Sequence, residues 1–403
     1  MARINGANIV VGQPLAFDCY DSKGNLLLQR GQMIGSEKQL DALVERGLFS
    51  DDAAAKGDGK NDPAKDEKQT PFFMMDNCKD RVRALFNAIK THCGTKPPER
   101  VVLEELQQSY RDSIRNLCSG RPLNFPERIL NIGKGIQALC KLDEDAALGA
   151  IHLDPICRYT TIHPIHKAVL SELVAIRLDI PPPERLSILA AALTANISIL
   201  NLQEFLHTQH RPLTATEKEL IALHPQLSVE MLREFGVEDE SWLQIIWQHH
   251  ERPDGGGYPV GLKGADIGRG AKILALADIY GTMIKPRAHR AALHGKEALG
   301  RMFVERGGMI DGELVHVFVK TLGIYPPGSF VKLRNGETAI VIRRGTAAAA
   351  PKVKSVRDPL GMPLAYLSER DTARQPFAIS EGIPHDKLMA INFHALWDYG
   401  RAG

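Results

Sequence analysis

The chain has 403 residues, 44% of them hydrophobic, with 50 Lys plus Arg against 48 Asp plus Glu and a net charge of +2. That length and apolar content support two or three domains with a sizeable core. The even mixture of charges excludes a dedicated nucleic-acid binder, whose affinity would need clustered Lys and Arg. Cys19, Cys78, Cys93, Cys118, Cys140 and Cys157 are scattered without a CxxC pair, so they read as reduced, core-filling thiols and not as a disulfide frame. Met1–Gly6 lacks an apolar signal segment, and the expected compartment is the cytoplasm.

Residues 1–50 read as a small α/β module. Val10–Leu15 and Leu15–Tyr20 are extended, Asp21–Asn25 is a hairpin-type turn, and Leu26–Leu28 returns as a strand. Ser36 then caps a short helix through Leu40 and Leu43 to Gly47. Residues 51–70 form a linker without any aliphatic side chain larger than alanine, too polar to order itself. Helical patterns fill 71–124, broken at Gly94–Pro98 and Gly120–Pro126; Leu103, Leu106, Tyr110, Ile114 and Leu117 form an amphipathic stripe. Helical patterning continues over 125–325. The uncharged stretch between Arg185 and Glu204 is interrupted by Asn196, Ser198, Asn201 and Gln203, which suits a buried helix better than a membrane span. Residues 326–403 read as a β-rich extension: Phe330–Ile342 is two strands around an Asn335-Gly336 turn, and Thr346–Ala350 is a hairpin or linker. The fold expected is therefore mainly α, a helical bundle with a small N-terminal α/β module and a β-rich C-terminal extension.

Within the helical region several residues could carry chemistry. His163 and His166 lie on a face continuing through Leu170, Leu173 and Val174. Each is either a metal ligand or a core histidine bonded to a carbonyl. His224 follows a Thr214–Glu217 capping box and shares a face with Leu220, Leu227 and Met231; Pro225 should distort that helix, and Gly236 should end it. His249 and His250 close a helix begun at Trp242, as ligands or as polar residues at a C-terminus. Asp254-Gly255-Gly256-Gly257-Tyr258-Pro259 follows, and its glycines would let the backbone approach a ligand. Asp278 sits in an apolar helix and needs a cation, either a metal or an arginine such as Arg287 or Arg290.

These motifs resemble the HD-GYP family, HD-domain metal phosphohydrolases that hydrolyse cyclic di-GMP. The likeness runs from about Phe125 to Tyr325 and is carried by His249-His250-Glu251, Asp254-Gly255, Gly257-Tyr258-Pro259, Gly261-Leu262, Ala277-Asp278 with Tyr280, and Arg287 to Arg290. It implies an HD-type bundle in which His163, His224, His249, His250 and Asp278 are metal ligands. It also implies that Asp254, Gly255, Gly257, Tyr258, Pro259, Arg287 and Arg290 contact substrate. The family's His-Asp pair falls on Ala195 and Asn196, its lysine on Ile199, an acidic position of some members on Tyr159, and a second aspartate on Gly281.

In the family the bridging aspartate is shared by metals about 3.5–4 Å apart that activate water for in-line attack on the phosphodiester. A neutral amide and a methyl cannot replace a carboxylate and an imidazole. The resemblance therefore implies one divalent metal (Zn, Fe, Mn or Ni) on His224, His249 and His250, no bimetallic centre, and weak or no hydrolysis. The expected role is a regulatory module in cyclic di-GMP signalling that binds cyclic di-GMP or a related nucleotide, or docks a diguanylate cyclase or other signalling protein. A homodimer is compatible with it; DNA binding and a membrane span are not expected. An active phosphodiesterase with a one-metal site, or one in which His166, His207 or His210 substitutes, stands as the alternative.

Overall fold

A computed structural model describes residues 2–3, 19–20, 26–28, 49–50, 99–118, 124–153, 158–286, 291–384 and 393–397. The chain divides into two compact units, Met1–Met74 and Met75–Gly403. In the first, β1 (Ala2–Arg3), β2 (Cys19–Tyr20), β3 (Leu26–Leu28) and β4 (Phe49–Ser50) pair antiparallel in the order β1-β4-β2-β3. The β2–β3 pairing agrees with the expected hairpin. Its turn at Asp21–Asn25, the helix expected after Ser36, the linker and the patterns before Glu99 lie outside the described residues.

The second unit is a helical bundle with a sheet packed on it. Its helices are α1 (Glu99–Cys118), α2 (Phe125–Leu142), α3 (Glu144–Leu153), α4 (Tyr159–Arg177), α5 (Pro182–Thr194), α6 (Leu200–His207), α7 (Ala215–Glu234), α8 (Glu240–Gln248), α9 (Arg269–Met283), α10 (Gly295–Val304) and α11 (Gly312–Leu322). Helix α4 is central and packs on α5, α9, α2 and α1. Almost all of Tyr159–Ala175 is buried, as is Ser187–Thr194 of α5, where Ala190, Ala191 and Ala192 let the helices approach closely. The stretch Pro182–His207 is long and apolar enough to cross a membrane by composition. It is divided by a 3₁₀ turn at Ile197–Ile199, and α5 contributes its inner residues to the core.

Local signals set the helix ends. Thr214 accepts from the Glu217 amide at 3.2 Å while the Glu217 carboxylate accepts from the Thr214 amide at 2.8 Å, the expected capping box. Helix α7 runs through Pro225 without a break. It ends where the Val237 amide reaches back to the Leu232 carbonyl at 2.9 Å and Gly236 adopts a φ of 83°. The expected apolar face of α7 is offset: His224, Pro225, Ser228, Val229 and Leu232 are buried, whereas Leu220 and Leu223 are exposed, because α7 is covered mainly along the side meeting α8 and the 3₁₀ turn. Asp239 caps α8 through the Trp242 amide, and the Trp242 indole donates to Thr194 Oγ1 at 2.8 Å, tying α8 to α5.

At the C-terminal end β5 (Phe330–Leu333), β6 (Thr338–Arg343), β7 (Lys352–Arg357), β8 (Pro363–Asp371) and β9 (Ile379–Ile383) form an antiparallel sheet in the order β8-β7-β6-β5-β9. The expected Asn335-Gly336 turn joins β5 to β6, with Gly336 at a φ of 88°, and Thr346–Ala350 lies in the turn between β6 and β7. Alternate side chains divide the sheet. Phe330, Ile340, Ile342 and Val356 join the helical core, while Val331, Leu333, Ala339, Val341 and Val353 form a second cluster with Tyr325. Arg343 and Arg344 hold the sheet to the start of α3 through Asp143, Asp145 and Glu144. A short helix α12 (Phe393–Trp397) follows, and Trp397 donates to the Ile342 carbonyl at 3.1 Å.

Half-buried His152 links α3 to α9. Its Nδ1 lies 2.8 Å from the Leu148 carbonyl, which can only accept, so its Nε2 accepts from the Tyr280 hydroxyl at 2.8 Å. Burial, opposed by that carbonyl bond and reinforced by Lys285, lowers its pKa to about 4. The unfolded chain binds this proton more readily, so the contribution of neutral His152 is full above about pH 6.5 and is lost as pH falls toward about 4, at up to about 1.4 kcal/mol per pH unit. Urea midpoints of the wild type and His152→Leu, compared from pH 7.5 to 4.5, should converge on acidification. Parallel curves would show that His152 does not titrate this way.

Candidate metal and ligand site

Helix α4 carries His163 and Lys167 four residues apart on one face, aimed at Asp278 of α9. His163 Nε2 lies 3.0 Å, and the Lys167 ammonium 3.2 Å, from the same oxygen, Asp278 Oδ1. Lys167 Nζ is also 3.5 Å from Asn196 Oδ1. Asn196 is placed there because α5 stops after Thr194 and the chain tightens into the 3₁₀ turn. Lys167 is wholly buried, at 0% exposure. Burial alone would push the Asp278 carboxyl up, but the Lys167 charge and the His163 hydrogen bond hold it well below the usual carboxylate range. Asp278 thus has a cationic partner in a lysine from α4; Arg287 and Arg290 lie outside the described residues.

A second group is separate in chemistry. Ligand nitrogens of His224, His249 and His250 lie within 4.8 Å of one another. His224 Nδ1 donates to the Ile221 carbonyl at 2.5 Å and His249 Nδ1 to the Ile246 carbonyl at 2.6 Å. A carbonyl only accepts, so both rings carry their proton on Nδ1 and turn the Nε2 lone pair inward. Those two Nε2 atoms are 3.3 Å apart. Two facing lone pairs at that distance repel unless a cation lies between them. Burial first, then the neighbouring charges, lowers His224 to about 4 and His250 to about 3, and pushes His249 well down, so a proton does not fill that role near neutral pH. Neutral imidazoles oriented by backbone acceptors are the donor set that Zn, Fe, Mn or Ni takes. These residues fit the metal, and His163 and Asp278 face an ammonium instead.

Both groups border a cavity of about 580 Å³, reached by His163, Asn196, His224, His250, Tyr258 and Asp278. Tyr159 is stacked with His163 and with His207, each pair 4.7 Å between ring centroids, which gives one wall an aromatic face. Tyr258 stacks on His250 at 4.7 Å. His207, His210, Gln203 and Arg211 line the mouth, and Arg211 is paired with Glu217 at 2.7 Å. His166 is buried on α4 and is not among the residues lining this cavity.

The glycine-rich loop serves mostly itself. A side chain at Gly257 would lie 2.4–2.5 Å from Arg252 N, Glu251 Cα and His250 O, so the close approach expected of this loop is to its own backbone. Gly255 has a φ of 82°, and Asp254 Oδ1 accepts from the Gly256 amide at 2.8 Å in a local turn. Of Asp254, Gly255, Gly257, Tyr258 and Pro259, Tyr258 lines the cavity. The loop is anchored by buried Glu251, whose carboxylate accepts from the amides of Val260, Gly261 and Leu262 at 2.7 to 3.1 Å. Glu251→Ala should cost the loop about 2 kcal/mol of local stability, which is about a 30-fold faster amide exchange at Val260–Leu262. Unchanged exchange rates there would refute the anchoring role.

Sequence reasoning missed Lys167 and the Tyr159 stack. The signal for Lys167 was present: it falls on the face that carries His163, Leu170 and Val174.

Comparison with known proteins identifies a domain around this site. Residues 153–314 match the HD domain family. Over 211 residues the chain is 30% identical to the cyclic di-GMP phosphodiesterase PA4108 of Pseudomonas aeruginosa, covering 52% of this chain and 51% of that protein. It is 24% identical to the 3'3'-cGAMP-specific phosphodiesterase 3 of Vibrio cholerae over 74% of this chain and 67% of that one. The chain thus spans about half the length of the Pseudomonas relative. In fold it is similar to Bd1817, an HD-GYP-type protein from Bdellovibrio bacteriovorus, with a TM-score of 0.50 and 16% identity over 80% of this chain and 99% of that one. Residues 153–314 thus carry an HD domain, and the chain around it is similar to cyclic-dinucleotide phosphodiesterases in sequence and to an HD-GYP-type protein in fold.

Proposed function

We propose that this protein is a cyclic-dinucleotide-binding regulatory module that retains the pocket of a phosphodiesterase and little or none of its hydrolysis. One observation carries the reading. His224 and His250 of the tri-histidine set and Tyr258 line the cavity, while the neighbouring position holds the Lys167 ammonium against Asp278 and Asn196. A metal on His224, His249 and His250 would supply Lewis-acid polarisation of a phosphate oxygen. The chain's own residues do the rest of the binding. The Tyr159–His207 stack offers an aromatic wall to a purine, and Gln203, Gln209 and His210 offer hydrogen bonds at the mouth. What is missing is the second half of a clamp on attacking and leaving oxygens: Ala195 has no ligand atom and Asn196 a single neutral oxygen, already beside Lys167. The identity of the ligand is taken from the activities that the relatives' names give, cyclic di-GMP and 3'3'-cGAMP.

Calorimetry with cyclic di-GMP and with 3'3'-cGAMP on metal-analysed protein tests this, run beside a chromatographic assay for the linear dinucleotide. Saturable binding without linear product is the expected result. Absence of binding by either nucleotide, or brisk linearisation with Mn, Fe, Ni or Zn, would remove the reading.

A further inference from the structure

We infer that Lys167 is a tethered cation standing where a second metal ion would otherwise sit, and that it excludes such an ion from the pocket. Its ammonium lies 3.2 Å from Asp278 Oδ1 and 3.5 Å from Asn196 Oδ1, and His163 Nε2 reaches the same Asp278 oxygen at 3.0 Å. These oxygens and this nitrogen come from three different elements, α4, α9 and the α5–3₁₀ junction, so the fold itself builds a three-sided cation cradle. Lys167 fills it from within, its side chain fully buried behind the cavity-lining Asp278 and Asn196.

Charge balance accounts for the composition of the cradle. A dication would call for at least two anionic oxygens, whereas an ammonium needs one carboxylate and further neutral acceptors. Asp278 is the one carboxylate, and Asn196 adds an acceptor without adding charge. A carboxylate at position 196 would leave the lysine overbalanced, and a histidine at position 195 would have no ion to bind. The residues at 167, 195 and 196 therefore form one correlated set. A dication entering beside Lys167 would meet a fixed positive charge 3.2 and 3.5 Å from the two oxygens it must share.

The inference deepens the reading of the same pocket, and metal counts test it separately from nucleotide binding. Full-length wild type, Ala195→His/Asn196→Asp, and Ala195→His/Asn196→Asp/Lys167→Leu would be equilibrated with manganese(II), desalted and counted by plasma mass spectrometry. The double variant, with Lys167 in place, should hold no more ions than the wild type; the triple variant should gain one per chain. A gained ion in the double variant, or none in a triple variant with wild-type circular dichroism, overturns the inference. Should the triple variant not fold, the wild type still decides, since two manganese ions per chain beside an intact Lys167 is incompatible with it. One ion or none per wild-type chain agrees with it, and none would count only against the tri-histidine set.

Discussion

Lys167→Met is expected to destabilise the helical unit by about 3–5 kcal/mol, the range for removing one partner of a buried ion pair. Methionine keeps most of the stem volume, so the loss reports on charge more than on packing. Asp278 would then keep its part-buried carboxylate with His163 as its remaining close hydrogen-bond partner. The pH dependence identifies the cause. In the wild type the Asp278 pKa is held well below its ordinary value, so its contribution is present above about pH 4 and is lost as pH falls through the depressed value. In the variant the largest cause of that depression is removed, and the gap between the two proteins should narrow as pH drops below about 4. The double variant Lys167→Met/Asp278→Asn should recover most of the loss, because neither charge is left alone. Urea unfolding of the four proteins in chelator measures this cycle; a single variant with the wild-type midpoint, or a double variant that adds the two losses, would refute the pairing.

That expectation could not be formed from the pattern of residues alone. The sequence showed an α-helical bundle with β pieces because its stripes, caps and Asn-Gly turn are local signals. The Thr214 box, the Gly236 stop and the Phe330–Ile342 hairpin all depend on neighbours within a few residues. The cluster of His224, His249 and His250 was approachable for a related reason, since two of its members are adjacent and the third precedes a proline in a familiar order. For Lys167 the inward face was readable but the role was not, because its partners Asp278 and Asn196 lie 111 and 29 residues away. The loop of glycines was legible only in part, for the opposite reason. Close approach was the right inference from Gly257, but whether the approaching group is a ligand or the chain's own His250 carbonyl is a tertiary fact. The carboxylate that organises this loop, Glu251, is likewise defined by amides nine to eleven residues onward.

His249→Ala should lose most of the stabilisation that a bound ion gives the wild type. At a metal concentration about 100 times its dissociation constant, a one-site ion adds about 2.7 kcal/mol to the folded state, and this increment should nearly vanish in the variant. The loss of a ligand should exceed the roughly 10–100-fold weakening typical of disturbing groups that only orient ligands. The two-sided geometry sharpens the test. Without a cation, His224 and His249 set their Nε2 lone pairs 3.3 Å apart, a repulsion that alanine relieves. In chelator, part of the cost of truncating His249 should therefore be offset, and with zinc that offset disappears. Acidity gives an independent check. His224 and His250 have pKa values of about 4 and 3, and His249 is also well below its ordinary value, so near neutral pH no proton must leave these rings for an ion to enter. Zinc affinity should be almost level from about pH 8 to 6, where a solvated histidine set with pKa near 6.5 would already weaken. A thermal shift by zinc that survives His249→Ala, or affinity that falls steeply across that interval, would place the ion somewhere other than between these imidazoles.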